Sequence, residues 1–325
     1  MMLPWSWAGE VYNFTLDCDS SVMTRYGSQQ GSKKGYNPVK RGRPSHHPLI
    51  AFIADVKLVA NMWLRSGDAS SSHNFLSFLE DTLSKLKNKT VGLTRLDSGF
   101  CSNEIFNYLE QKNIDYIVAA KFYQPIQQII SRQQAWVVID NGIEISEVQY
   151  QAIHWAKARR MVIVRQKIKD RPNAIGKTLT LFDEASVYRQ YRYTAYFTTL
   201  RLSATDVWRL YPNRADAENR IKELKHDFGF SSFNLDDFYG TEAALTFAML
   251  SYNIMSLFRM FILQSKTQHT LSTLRYKTFA IGAYFEKAGE HFILKLDLNI
   301  KRREWCKGLW NQSNSVNSPF IFSNA

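Results

Sequence analysis

Apolar and polar positions alternate along the first third of the chain in a way that predicts strands interleaved with helices. Val11–Cys18 (VYNFTLDC) reads as a strand, and Pro48–Ala54 and Lys57–Leu64 as two apolar strands joined at Asp55. From Ser70 to Lys87 the period changes: Phe75, Phe78, Leu79, Leu83 and Leu86 recur at three- and four-residue steps, the mark of a helix. Val91–Leu96 is a short strand ending at Asp97, Asn103–Lys112 a helix, and Ile114–Ala120 a buried strand. Strand, strand, strand, helix, strand, helix, strand is an α/β pattern.

Beyond Trp136 the chain turns β-branched and aromatic. AWVVI, MVIVRQ and YRYTAYFTTL are separated by Asn-Gly and Arg-Pro-Asn turn signals, so Trp136–Leu200 is expected to be an antiparallel β-rich insertion. Ser203–Lys225 then predicts a helix with Ser203 as N-cap and Asp206 in its first turn. Pro212 within it either kinks the helix or marks its true start. Gly240–Leu263 is the longest apolar stretch and long enough to span a bilayer. It carries Glu242, Asn253 and Arg259, each costly at mid-membrane, so a buried core helix is expected.

With 45% hydrophobic and 14% aromatic residues in 325, the chain is a folded protein and not a disordered one. Its formal net charge of +12 points to a polyanionic partner, because each phosphate neutralised releases condensed counterions. One segment stands out: Ser20–Ala54 has no acidic residue but holds Arg25, Lys33, Lys34, Lys40, Arg41 and Arg43 among glycine, serine and proline, a cationic loop suited to DNA backbone. Three separated cysteines make neither a disulfide framework nor a CxxC pair, and MMLPWSWAGE lacks the regions of a signal peptide, so a cytoplasmic location is expected. Gly176-Lys177-Thr178 is not a phosphate loop, since Arg171 stands where the first glycine is needed, and no nucleotide cofactor is expected. His46-His47 lies beside basic residues without partners at zinc spacing.

Attack on a phosphodiester needs charge neutralisation, which two Mg²⁺ ions about 4 Å apart supply through a few convergent carboxylates. Asp19 ends the first strand, Asp17 shares its face two residues earlier, and Asp97 ends another strand before a Ser98-Gly99 turn. Each singly is more often a turn or cap residue. On the late helix, Tyr211, Arg214, Glu218 and Lys225 stand at offsets that project within an arc of about 60°. A solvated helix face with an Arg214/Glu218 pair has the same pattern.

Tyr-x-x-Arg-x-x-x-Glu-x-x-x-x-x-x-Lys, running from Tyr211 to Lys225, resembles the signature of DDE-type insertion-sequence transposases with an RNase H-like core. LDCDSS, TRLDSGF, IDYIVAA, GYNPVKRGRPSHHPLIAF and RADAENRIKELKHDFG are similar to further blocks of that family, over roughly Leu16–Leu263. The resemblance implies an RNase H-like mixed sheet flanked by helices, with a β-rich insertion between the second Asp and the Glu. It implies that Asp19, Asp97 and Glu218 are catalytic and hold Mg²⁺ or Mn²⁺, with Asp17 the alternative first carboxylate. Tyr211, Arg214 and Lys225 would contact DNA, together with Lys33, Lys34, Arg41 and Arg43 of the basic loop. The expected partners are double-stranded DNA, as transposon ends and target, and a second copy of the chain in the DNA complex, with no membrane. Residues 1–120 would be the first part of the catalytic core, 121–200 the insertion, 201–265 the remainder, and 266–325 a C-terminal extension. Only eighteen residues precede Asp19, where such transposases carry an end-binding domain. A truncated or decayed transposase, acting as a DNA-binding inhibitor, and an RNase H-like nuclease are the alternatives.

Overall fold

The structure is a computed structural model that describes residues 13–168, 191–264 and 269–315. Gly176–Thr178 lie outside these. Two compact units are present, one within Val11–Asn219 and the other taking in Arg220–Ala325.

The first unit is built on a nine-stranded sheet. In chain order its strands are β1 (Asn13–Ser20), β5 (Leu49–Ile53), β6 (Leu58–Trp63), β7 (Thr90–Leu96), β8 (Asp115–Ala119), β9 (Val137–Asp140), β10 (Ile143–Tyr150), β11 (Arg159–Lys167) and β12 (Tyr191–Thr198). Three short strands, β2 (Met23–Thr24), β3 (Lys33–Lys34) and β4 (Pro44–His46), form a small separate sheet in the order β2-β4-β3. The large sheet runs β6-β5-β1-β7-β8-β12-β11-β10-β9. β1 pairs antiparallel with β5 and parallel with β7, and β7 is parallel to β8. Parallel and antiparallel pairing in one sheet is the mixed arrangement that the resemblance implied. The inserted strands add to the same sheet, since β12 pairs antiparallel with β8 and β11, β10 and β9 follow outward.

Helices cover both faces because side chains along a strand point alternately up and down. Leu16 and Cys18, Tyr116 and Val118, Met161 and Ile163, and Phe197 all face one side. There they meet α1 (Phe75–Leu86), α2 (Asn103–Gln111) and α3 (Gln124–Arg132) through residues such as Phe75, Phe78, Phe106 and Ile126. α3 has no counterpart in the sequence expectation. Its Pro125 at the first turn pre-sets the entry, and Ile126 and Ile130 are one turn apart. The alternate residues Ile117, Val162, Val164 and Tyr196 face the other side and pack with Val207, Trp208 and Tyr211.

The helix expected over Ser203–Lys225 is interrupted. α4 spans Ala204–Leu210, a 3-10 turn takes Tyr211–Arg214, and α5 runs Ala215–Asp227. Ser203 is the N-cap, accepting the Asp206 amide at 3.1 Å. Pro212 has no N–H to continue the α ladder, so the chain tightens for one turn there.

The second unit contains α6 (Phe238–Phe258), α7 (Leu271–Leu274), a hairpin of β13 (Gly282–Ala288) and β14 (His291–Asp297), and α8 (Ile300–Ser315). α6 is not the fully buried helix that its apolarity suggested. A stripe of Thr241, Leu245, Ala248, Tyr252 and Ser256 is buried, while Phe247, Leu250 and Ile254 are exposed. Phe238–Leu263 is long and apolar enough to cross a bilayer by length and composition. Burial along one stripe is what a helix packed on one side shows.

Candidate functional site

β1 and β7 are adjacent and parallel at the centre of the sheet, so their C-terminal ends lie side by side. Asp19 is near the end of β1, and Asp97 follows β7 directly. Because Leu16 and Cys18 face α1–α3, Asp17 and Asp19 face the side of α4 and the 3-10 turn.

The two aspartates of β1 have different partners. Asp17 is 1% exposed and meets the Arg95 guanidinium through both oxygens, at 2.6 and 2.7 Å. Arg95 is its register partner on β7 and also donates to the Leu210 carbonyl at 2.8 Å, so the pair ties the central strands to the end of α4. Asp19 accepts the Ser20 amide on Oδ1 at 2.8 Å, and Oδ2 lies 3.0 Å from Arg214 Nη2. Burial pushes the Asp19 carboxyl up to about 6. Arg214 pulls against this, Asp97 raises it further, the Ser20 amide lowers it and Glu218 raises it. Asp19 therefore feels both of the other proposed carboxylates.

Asp97 is also a cap: its side chain accepts the Gly99 amide at 2.8 Å and closes the 3-10 turn Ser98–Phe100. Position 99 has no room for a side chain, since a Cβ there would stand 2.7 Å from Ser71 and 2.9 Å from Asp97 Oδ1. Glu218, in the first turn of α5, is more than half exposed, and its Oε1 lies 3.6 Å from Arg214 Nη1.

Arg214 and Tyr211 depart most from the sequence expectation of an exposed DNA-facing helix face. The 3-10 turn directs Arg214 inward, where it is 5% exposed. There it bridges Asp19 and Glu218 and donates to the Cys18 carbonyl at 3.3 Å. Burial works against its charge, but the carboxylates, Asp19 foremost, hold its protonation above the ordinary range. Tyr211 donates to the Leu96 carbonyl at 3.3 Å and packs on Tyr196, ring centroids 4.4 Å apart. Lys225 is in the last turn of α5, within the second unit. Glu223, farther along α5, is paired with Arg259.

The basic loop is more structured than its composition suggested. Arg25 is buried and donates to His46 Nδ1 at 3.1 Å, while His46 Nε2 meets the Gln30 carbonyl at 2.9 Å. His46 and His47 are both buried. Lys33 has an acidic neighbour after all, Asp68 at 3.1 Å. Arg43 lies over the exposed Tyr26 ring at 5.6 Å, and Lys34 and Arg41 are exposed.

Arg95 is the residue that sequence reasoning missed. An arginine inside the apolar run VGLTRL must find a buried carboxylate, and that signal would have assigned Asp17 a structural pairing. Among the described residues no three His, Cys, Asp or Glu side chains stand as a set able to hold one metal ion.

The geometry can be set beside known proteins. No match is found among curated protein sequences. Among solved structures, the chain is similar to a piggyBac transposase in a synaptic complex with hairpin DNA, at 10% identity and a TM-score of 0.49. The similarity covers 81% of this chain and 51% of that one, so the chain spans about half the length of that transposase. The profile of the family described as transposase DDE domain group 1 matches residues 5–310. That span takes in the whole sheet, both strand-end aspartates and Glu218, and the chain belongs to this transposase DDE domain family.

Proposed function

We propose that the chain is a DNA transposase that cleaves phosphodiesters at transposon ends and joins them to target DNA, using Asp19, Asp97 and Glu218 to hold Mg²⁺ or Mn²⁺. The observation that carries this reading is geometric: Asp19 is a buried carboxylate at the tip of β1, beside the parallel strand β7 that runs into Asp97, and Arg214 links it to Glu218. Carboxylates kept close to one another favour a hard divalent cation, and an all-oxygen donor set suits Mg²⁺ or Mn²⁺. When bound, such ions supply the charge neutralisation and Lewis acidity that attack on a phosphodiester requires.

Asp19 and Asp97 reach the site from adjacent rigid strand ends, and Glu218 from the start of α5. In cleavage, a water oxygen bonds to phosphorus as the P–O bond to the leaving 3′-oxygen breaks. In joining, the freed 3′-hydroxyl plays the part of the water. DNA is the partner that the +12 charge favours, with Lys34, Arg41 and Arg43 as backbone contacts and Lys33 shared with Asp68. A homodimer in the DNA complex belongs to the same reading.

The test is Mn²⁺-dependent nicking of supercoiled plasmid, followed by joining of a pre-cleaved duplex to it. Asp19→Asn, Asp97→Asn and Glu218→Gln should each abolish nicking while leaving DNA binding in Ca²⁺ within a few-fold of wild type. Wild-type nicking in all three would refute the triad. Nicking without joining would favour the nuclease alternative.

A further inference from the structure

Arg214 sits where the proposed site needs positive charge. Its Nη2 is 3.0 Å from Asp19 Oδ2, and its Nη1 is 3.6 Å from Glu218 Oε1. The Cys18 carbonyl takes a long hydrogen bond of 3.3 Å. The Nε donor is buried without a hydrogen-bond partner. A buried guanidinium with an unsatisfied N–H is held by the charge of its neighbours more than by its hydrogen bonds, and an unpaired buried donor is costly. The arrangement puts the cation in contact with two of the three carboxylates assigned to metal.

We infer that Arg214 is a built-in counter-ion for the acidic site, which a divalent cation must displace from Asp19 and Glu218 in order to bind. This rests on the triad assignment made above. A guanidinium and a divalent ion on the same carboxylate repel strongly in a partly desolvated site, so both cannot keep full contact. Arg214 is thus a positioning residue that keeps the carboxylates together without metal and sets the concentration at which metal enters. The same displacement frees its fork to face a phosphate.

The test measures Mn²⁺ binding to the full chain without DNA, by calorimetry and by electron paramagnetic resonance of free Mn²⁺. Arg214→Gln should bind Mn²⁺ at least ~10-fold more tightly than wild type, the lower end of what a close charge pair contributes when water is largely excluded. Arg214→Lys keeps the competing charge and should stay within ~3-fold of wild type. Asp19→Asn is the site control. Circular dichroism checks that each variant folds. A second measurement needs no variant: phenylglyoxal modification of Arg214 in the wild-type chain, followed by mass spectrometry, should speed up several-fold when Mg²⁺ is added.

Equal or weaker Mn²⁺ binding by folded Arg214→Gln overturns the inference, as does Mg²⁺-independent or slower modification of Arg214. If Asp19→Asn loses Mn²⁺ while Arg214→Gln does not gain it, the triad stands and the counter-ion role falls. If Asp19→Asn binds as wild type does, or if neither wild type nor Arg214→Gln binds Mn²⁺, the triad assignment itself falls and takes this inference with it.

Discussion

Replacing Arg95 by alanine would leave the Asp17 carboxylate, 1% exposed, without the guanidinium that meets both its oxygens. Removing one partner of a buried ion pair costs about 3–5 kcal/mol, because the other charge is left uncompensated. The lost donation to the Leu210 carbonyl adds about 1 kcal/mol. Against a usual domain stability of about 5–15 kcal/mol, Arg95→Ala should bring the first unit close to unfolding. Asp17→Asn strands the arginine instead and should cost roughly 2–4 kcal/mol. The neutral pair Asp17→Asn/Arg95→Gln should recover part of the loss, with a coupling energy of at least about 2 kcal/mol. Urea unfolding followed by tryptophan fluorescence reads this, since Trp63, Trp136, Trp155 and Trp208 all lie in that unit. A loss below about 1 kcal/mol for Arg95→Ala would refute the reasoning. So would an Asp17→Asn variant of wild-type stability that no longer binds Mn²⁺, since it would make Asp17 the first metal carboxylate.

Asp19 gives a pH signature. Its carboxyl holds a proton more tightly folded than unfolded, so its favourable contribution is complete below the ordinary 3.8 and is lost as pH rises through about 6. That span, at about 1.4 kcal/mol per pH unit, is about 3 kcal/mol, and metal-free wild type should lose roughly this much relative to Asp19→Asn between pH 4 and 7. A pH-independent difference in melting stability would contradict it. Mn²⁺ affinity should rise over the same range, because the ion needs the ionised form. Tyr211→Phe should cost about 1 kcal/mol of stability through its hydrogen bond to Leu96, with DNA affinity unchanged; a selective loss of DNA binding would instead give it the contact role. Joint neutralisation of Lys34, Arg41 and Arg43 should lower the salt dependence of DNA binding by ~0.9 for each phosphate contact removed, and an unchanged slope would show that these charges are only solvated.

The larger strands and the helices through residue 120 were legible in the chain, because period-two and period-3.6 patterns are properties of near neighbours, while the short strands β2, β3 and β4 inside the basic segment were not. The positions of Asp19 and Asp97 at strand ends were legible too, as was the cationic character of the segment before His46. Tertiary structure decided the rest. Asp17 and Asp19 are alike in sequence, and only the approach of Arg95 and Arg214 gives one a buried structural partner and the other a place in the candidate site. The 3-10 turn at Pro212 rotated Arg214 out of the face that an uninterrupted helix would present, and packing against β1 buried it. The insertion strands became part of the central sheet because β8 offered β12 an unpaired edge, a fact of pairing that periodicity cannot register. Local pattern states which segments are strands and helices. Which charge meets which is set by residues 78 and 196 positions apart, where sequence distance says nothing about approach.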